Sequence, residues 1–190
     1  MISDALVFLK SQLNTYLKSG WSPTNSGDDP VKFIDDDKME PLLFNPNFIT
    51  MLLINLEEEN KLRDPNLYRR VSADGSYQSV QPEIRLNMFV LFVPRHTTYQ
   101  HALEDLSHIV QYFQGHHLFR HPDALGLSDK IDKLIVELIT LPFSEQNEVW
   151  NALRATYHPS VLYKVKMLVF RDENAIVLPE IEETILRITT

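Results

Sequence analysis

His101 and His108 stand seven residues apart, with Glu104 and Asp105 between them. On a helix this spacing gathers two imidazoles and two carboxylates on one face, a donor set suited to zinc or another divalent ion. His117 and His121, at even spacing, would share one face of a strand. A metal-dependent hydrolase is the enzyme such a set would build. H-E-x-x-H is missing, however, and the helical residues lie opposite the apolar stripe expected for the same helix. The spacing therefore favours a solvated polar face, with a subunit contact next, over a metal centre.

Other routes to catalysis are weaker. Asp35-Asp36-Asp37 and Glu57-Glu58-Glu59 are acidic runs without the EF-hand spacing or its glycine. Carboxylates in a run share no mutual geometry for acid/base work, so a hydrated loop or edge is expected. The five glycines (20, 27, 75, 115 and 126) are scattered, which excludes both a P-loop and G-x-G-x-x-G. No serine sits in G-x-S-x-G. Cysteine is absent, which removes thiolate zinc sites, cysteine nucleophiles and disulfides together and fits cytoplasmic synthesis. No cofactor and no catalytic residue is expected.

The 190 residues suit a single domain, and a 44% hydrophobic share supplies a core for it. The net charge of −8 disfavours nucleic-acid binding, which relies on Lys and Arg at the phosphates. Neither a basic segment followed by an apolar run at the N-terminus nor an apolar stretch of the ~20 residues a membrane helix needs is present. A soluble chain without membrane insertion is predicted.

The elements follow from periodicity. Ile2, Ala5, Leu6, Leu9, Leu13 and Leu17 predict a first helix ending at Gly20. Val7 and Phe8 fall off its stripe, so either the following loop covers them or they face a partner, which makes Phe8 a candidate partner contact. Residues 21–46, rich in Ser, Pro, Gly and Asp, read as a long loop or arm with Phe33, Ile34, Leu42, Leu43 and Phe44 as anchors that could order against a neighbour. Residues 47–57 are apolar at both parities, predicting a strand buried on both faces. A polar loop at 59–82 precedes an alternating strand at 83–93. Residues 97–114 predict a helix with Leu103, Leu106, Ile109, Val110 and Phe113 inward and Gly115 as its C-cap. Strands at 117–121 and 130–141, a short helix capped by Ser144 and carrying Trp150, and a strand at 160–171 complete the domain. The result is one α/β (α+β) domain over residues 1–172, with a mixed central sheet flanked by helices, and an extended acidic tail over 173–190.

Leu141-Pro142-Phe143-Ser144-Glu145-Gln146-Asn147-Glu148-Val149-Trp150-Asn151-Ala152-Leu153, then Tyr157-His158-Pro159-Ser160-Val161-Leu162-Tyr163-Lys164-Val165-Lys166-Met167, resembles the tail-terminator (cap) proteins of extracellular contractile injection systems, the phage-tail-like particles of the virulence-cassette and antifeeding-prophage type. The resemblance extends upstream through residues 53–59, 86–92 and 99–115 and the opening residues 1–6, covering about 1–171. It implies a tail-terminator-like fold and a structural, non-enzymatic subunit that ends inner tube and sheath and stabilises the extended sheath. The implied partners are the inner-tube protein, the sheath protein and further copies of the chain in a six-fold ring. An adaptor or baseplate-type subunit of the same machinery is the alternative. The particle would be assembled in the cytoplasm and then released or membrane-anchored.

Six copies at −8 each carry −48, so opposite charges must meet locally wherever the ring docks. The strand at 160–171 and the Trp150 helix read as scaffold. Docking is expected in the loops and the tail, where the tail could add a strand to the sheath or close an edge of its own sheet. The candidate contacts are Phe8, Trp21, Phe33, Arg69, Arg70, Glu180, Glu182 and Glu183.

Overall fold

A computed structural model describes residues 1–20, 28–34, 42–59, 69–71, 77–79, 85–121, 123–169 and 176–177. Its helices are α1 (Ile2–Gly20), α2 (Tyr99–Gly115) and α3 (Phe143–Ala152). Its strands are β1 (Val31–Lys32), β2 (Phe48–Glu58), β3 (Arg69–Val71), β4 (Tyr77–Ser79), β5 (Arg85–Arg95), β6 (Leu118–Arg120), β7 (Ile131–Ile139), β8 (Val161–Val169) and β9 (Ile176–Val177). Six strands form a sheet in the order β1-β2-β5-β8-β7-β6. Only β1–β2 is parallel, so the sheet is mixed, as expected.

The alternation along β5 and β8 separates two cores. Met88, Val90 and Phe92 of β5, with Tyr163, Val165 and Met167 of β8, face α1 and α2 and form the larger core. The opposite parity, Leu91, Val93 and Leu162, packs against Trp150 of α3 and against Phe44. The sheet is thus helix-covered on both faces, which explains the near-continuous burial of β5. In β2, burial on both faces holds only at Ile49, Thr50 and Met51. After a register shift between Leu53 and Asn55, residues 55–58 are exposed, and Glu57 and Glu58 lie on this open end.

Three short strands revise the loop assignments, β1 within 21–46 and β3 and β4 within 59–82. Asn14, buried on α1, donates Nδ2–H to the Val31 carbonyl and accepts the Val31 N–H on Oδ1 (3.1 and 2.8 Å). That reciprocal pair satisfies a buried amide and pins β1 beside β2. Residues 28–29 are held too, because Lys18 of α1 reaches Asp29 at 2.6 Å and its hydrogen bond draws the carboxyl below the usual range. Phe44 is not free for a neighbour. It is buried at ring distances of 5.8 Å from Trp150 and 5.6 Å from His158.

Two caps differ from expectation. The N-cap of α3 is Pro142, and Ser144 lies inside the first turn; α2 runs through Gly115 to a cap at His116.

Candidate assembly surfaces

The rotation of α2 decides which chemistry faces solvent. His96 follows β5, and its Nε2 lies 2.6 Å from Oδ2 of Asp105, with both side chains 4% exposed. Asp105 is therefore core, together with Ala102, Ile109, Tyr112 and Phe113. This corrects the expected orientation. Leu103 is 42% exposed, and Leu106 and Val110 are only half-buried. A stripe containing one carboxylate won over an all-apolar stripe because that carboxylate has a buried imidazole to pair with.

The histidines have different neighbours. His101 lies edge-on to His96 at 6.1 Å between ring centroids, and Asp105 is engaged inside the core. His116 stacks on Tyr112 at 4.6 Å, and His121 bonds Asp129 at 3.0 Å. Among the described residues no three His, Asp or Glu side chains gather as a metal set. His158 sits beside Phe44 and Trp150, where burial, with Arg95 adding repulsion, holds its pKa below the ordinary histidine value. Tyr163, buried between Phe92 and Phe113, has its phenol pushed up to about 12 by the same loss of water. The pocket beside Trp150 holds about 250 Å³ and is lined by Leu91, Leu138, Leu141 and Val149 among others. That falls below the roughly 300–1,000 Å³ of ordinary ligand sites.

The named contacts distribute as follows. Phe8 is buried and meets Phe119 edge-on at 5.2 Å, so its expected role at a partner surface is corrected: it extends the α1 stripe, three residues beyond Ala5. Its neighbour Val7 is the exposed one, at 46%. Phe33 is partly buried against the larger core, with Lys10 Nζ 4.8 Å from its ring centroid. Arg69 and Arg70 lie on β3, which pairs with β4 in a second, three-stranded sheet. The third strand, β9, takes the first part of the tail: Ile176 and Val177 pair with Ser79 and Gln78 of the same chain. Trp21, Glu180, Glu182 and Glu183 lie outside the described residues.

Sequence reasoning passed over the most exposed apolar groups. Phe143, the first residue of α3, is 91% exposed, and so is Leu125; Tyr99 and Tyr157 are 64% and 58% exposed. Phe143 read as scaffold because it lies in the recognisable stretch. No helix among the described residues is long and apolar enough to cross a membrane.

The fold has a solved counterpart. All of this chain aligns with the sheath/tube terminator of PVC, an extracellular contractile injection system determined in its extended state by cryo-EM, at a TM-score of 0.57 and 13% identity. The chain spans 64% of the length of that terminator. No curated protein matches the sequence. The model of the Pvc16 N-terminal domain family matches residues 6–179, nearly the whole chain. The mixed six-stranded sheet, its two helical layers and the matched sequence agree, and the protein belongs to the Pvc16 N-terminal domain family.

Proposed function

We propose that this protein is the terminator subunit of a contractile injection particle, a non-enzymatic cap that ends the inner tube and the sheath and holds the sheath extended. The observation that carries this is the likeness of the whole chain to a sheath/tube terminator, within a family matched over residues 6–179. Its partners are the tube protein, the sheath protein and other copies of itself, arranged as a six-fold ring. The subunits of such a ring meet head to tail, so each carries two different complementary patches. The chain is made in the cytoplasm, joins the particle there and inserts in no membrane.

Docking on tube and sheath is assigned to the segments at 21–46 and 59–82 and to the acidic tail. The combined −48 of six copies makes this docking sensitive to salt, because charge pairs that offset such repulsion are screened.

Removing the gene from a producing cell tests the role. Overlong tubes or particles with collapsed sheath are expected. Loss of all particles would instead indicate a baseplate-type adaptor, and particles of normal length and stability would contradict both.

A further inference from the structure

One row of side chains crosses four strands of the sheet. Arg85 of β5 stands opposite Leu168 of β8, Leu168 opposite Lys133 of β7, and Lys133 opposite Arg120 of β6. Residues paired in this way share a face, and Trp150 packs on the same face further along, over Leu91 and Leu162. In the next row Ile135 stands opposite Leu118, which is 41% exposed. Arg85, Lys133, Ile135 and Leu168 line a cleft of about 220 Å³ there.

The charges of this row are not all matched within the chain. Glu59 lines the cleft with Arg85, Asp132 lies at the β7 bulge, and Glu137 is engaged by Lys166 at 2.7 Å. Lys133 and Arg120, directly opposite each other, take part in no ion pair among the described residues. Like charges so placed destabilise a strand pair. The chain keeps this repulsion although it has 26 acidic residues with which to neutralise it. On the same face Asn87, 5% exposed, has an Oδ1 without a hydrogen-bond partner. Unmatched cations beside an unsatisfied buried acceptor mark a surface completed by another molecule.

We propose that this row docks an extended acidic segment of a partner protein, in which Asp or Glu alternates with apolar residues. The row crosses three strand spacings, about 14 Å, and three alternate carboxylates of an extended segment span about 13 Å. Laid between the two rows, such a segment points successive side chains to opposite sides, carboxylates toward Arg85, Lys133 and Arg120 and apolar groups toward Ile135 and Leu118. A single small anion covers only part of the row. A nucleic-acid backbone offers Ile135 and Leu118 no apolar group, and the net −8 opposes approach to a phosphate polymer or an anionic membrane. The inference goes beyond the terminator reading and does not rest on it, because binding is measured on the isolated chain and either can fail alone.

The probe is a fluorescent nine-residue peptide of alternating Glu and Val, titrated with full-length chain at low salt and read by anisotropy. Saturable binding is expected, with none by a Lys/Val peptide of the same length. Arg120→Gln with Lys133→Gln weakens it at least tenfold, and each single variant several-fold, without lowering the unfolding midpoint, since the opposed charges are gone. Lys10→Gln with Arg154→Gln changes the net charge equally and leaves binding intact; equal weakening by that pair would show unspecific attraction and overturn the proposal. Undiminished binding by the Arg120/Lys133 variant overturns it, as does no binding by wild type, the result expected if the chain's own acidic tail fills the row. Equal affinity for a DNA oligonucleotide or phosphatidylserine vesicles, or wild-type dimerisation abolished by the same substitutions, would assign the row to another occupant and overturn it too.

Discussion

His96 and Asp105 form a buried pair, Nε2 to Oδ2 at 2.6 Å, that joins the end of β5 to the second turn of α2. The pair fixes how α2 is rotated about its axis. It buries Ala102, Ile109 and Phe113 and leaves Leu103 at the surface. What the outer face of α2 offers to another molecule follows from this one contact.

Removing the carboxylate leaves a buried imidazole without that acceptor. Asp105→Ala is therefore expected to destabilise the fold by roughly 1–3 kcal/mol, with Asp105→Asn milder because the amide oxygen still accepts. Urea unfolding checks this: the midpoint falls and the slope stays constant.

The same rotation separates two residues that periodicity places together. Ile109→Ala deletes a fully buried side chain and is expected to cost about 2–5 kcal/mol. Leu103→Ala removes one that is 42% exposed and stays within about 0.5 kcal/mol in the isolated chain. Equal losses for the two variants would contradict the orientation of α2.

His158 makes stability depend on pH. Its folded pKa lies below the unfolded value of 6.5 because burial, then Arg95, disfavours the charged ring. A depressed histidine pKa means that the folded state favours the neutral form. The contribution is full above pH 6.5 and is lost as pH falls through the folded pKa. The chain holds six further histidines, so the readout is a difference: His158→Phe should flatten the decline in melting temperature below pH 6.5 relative to wild type. Parallel profiles would show that His158 contributes none of it.

The tail offers a separable test, because β9 ends at Val177. Removing residues 179–190 leaves the β4–β9 pairing in place and takes away Glu180, Glu182 and Glu183. If the acidic tail docks on the particle, the cap is lost from particles several-fold more readily while the melting temperature is unchanged. Equal occupancy would remove the tail from the docking surface.

Most of the scaffold was legible because it obeys simple periods. The alternation in β8, with Tyr163, Val165 and Met167 on one face and Lys164 and Lys166 on the other, is borne out by their burial and by the 2.7 Å bond from Lys166 to Glu137. Three things were not legible. β1 has two residues and depends on Asn14, seventeen positions away, so no local pattern announces it. The rotation of α2 turns on a polar pair that hydrophobic counting scores as unfavourable. Phe143 lies inside a recognisable motif that reads as scaffold, yet it is 91% exposed. Periodicity reports which face is apolar. It does not report whether the partner of that face lies in the same chain.

The central claim is tested most directly by locating the chain on intact particles. Gold labelling of a tagged, functional copy, viewed by negative-stain electron microscopy, should mark only the end opposite the baseplate of extended particles. Label at the baseplate end, along the sheath, or on no particle at all would contradict a terminator role.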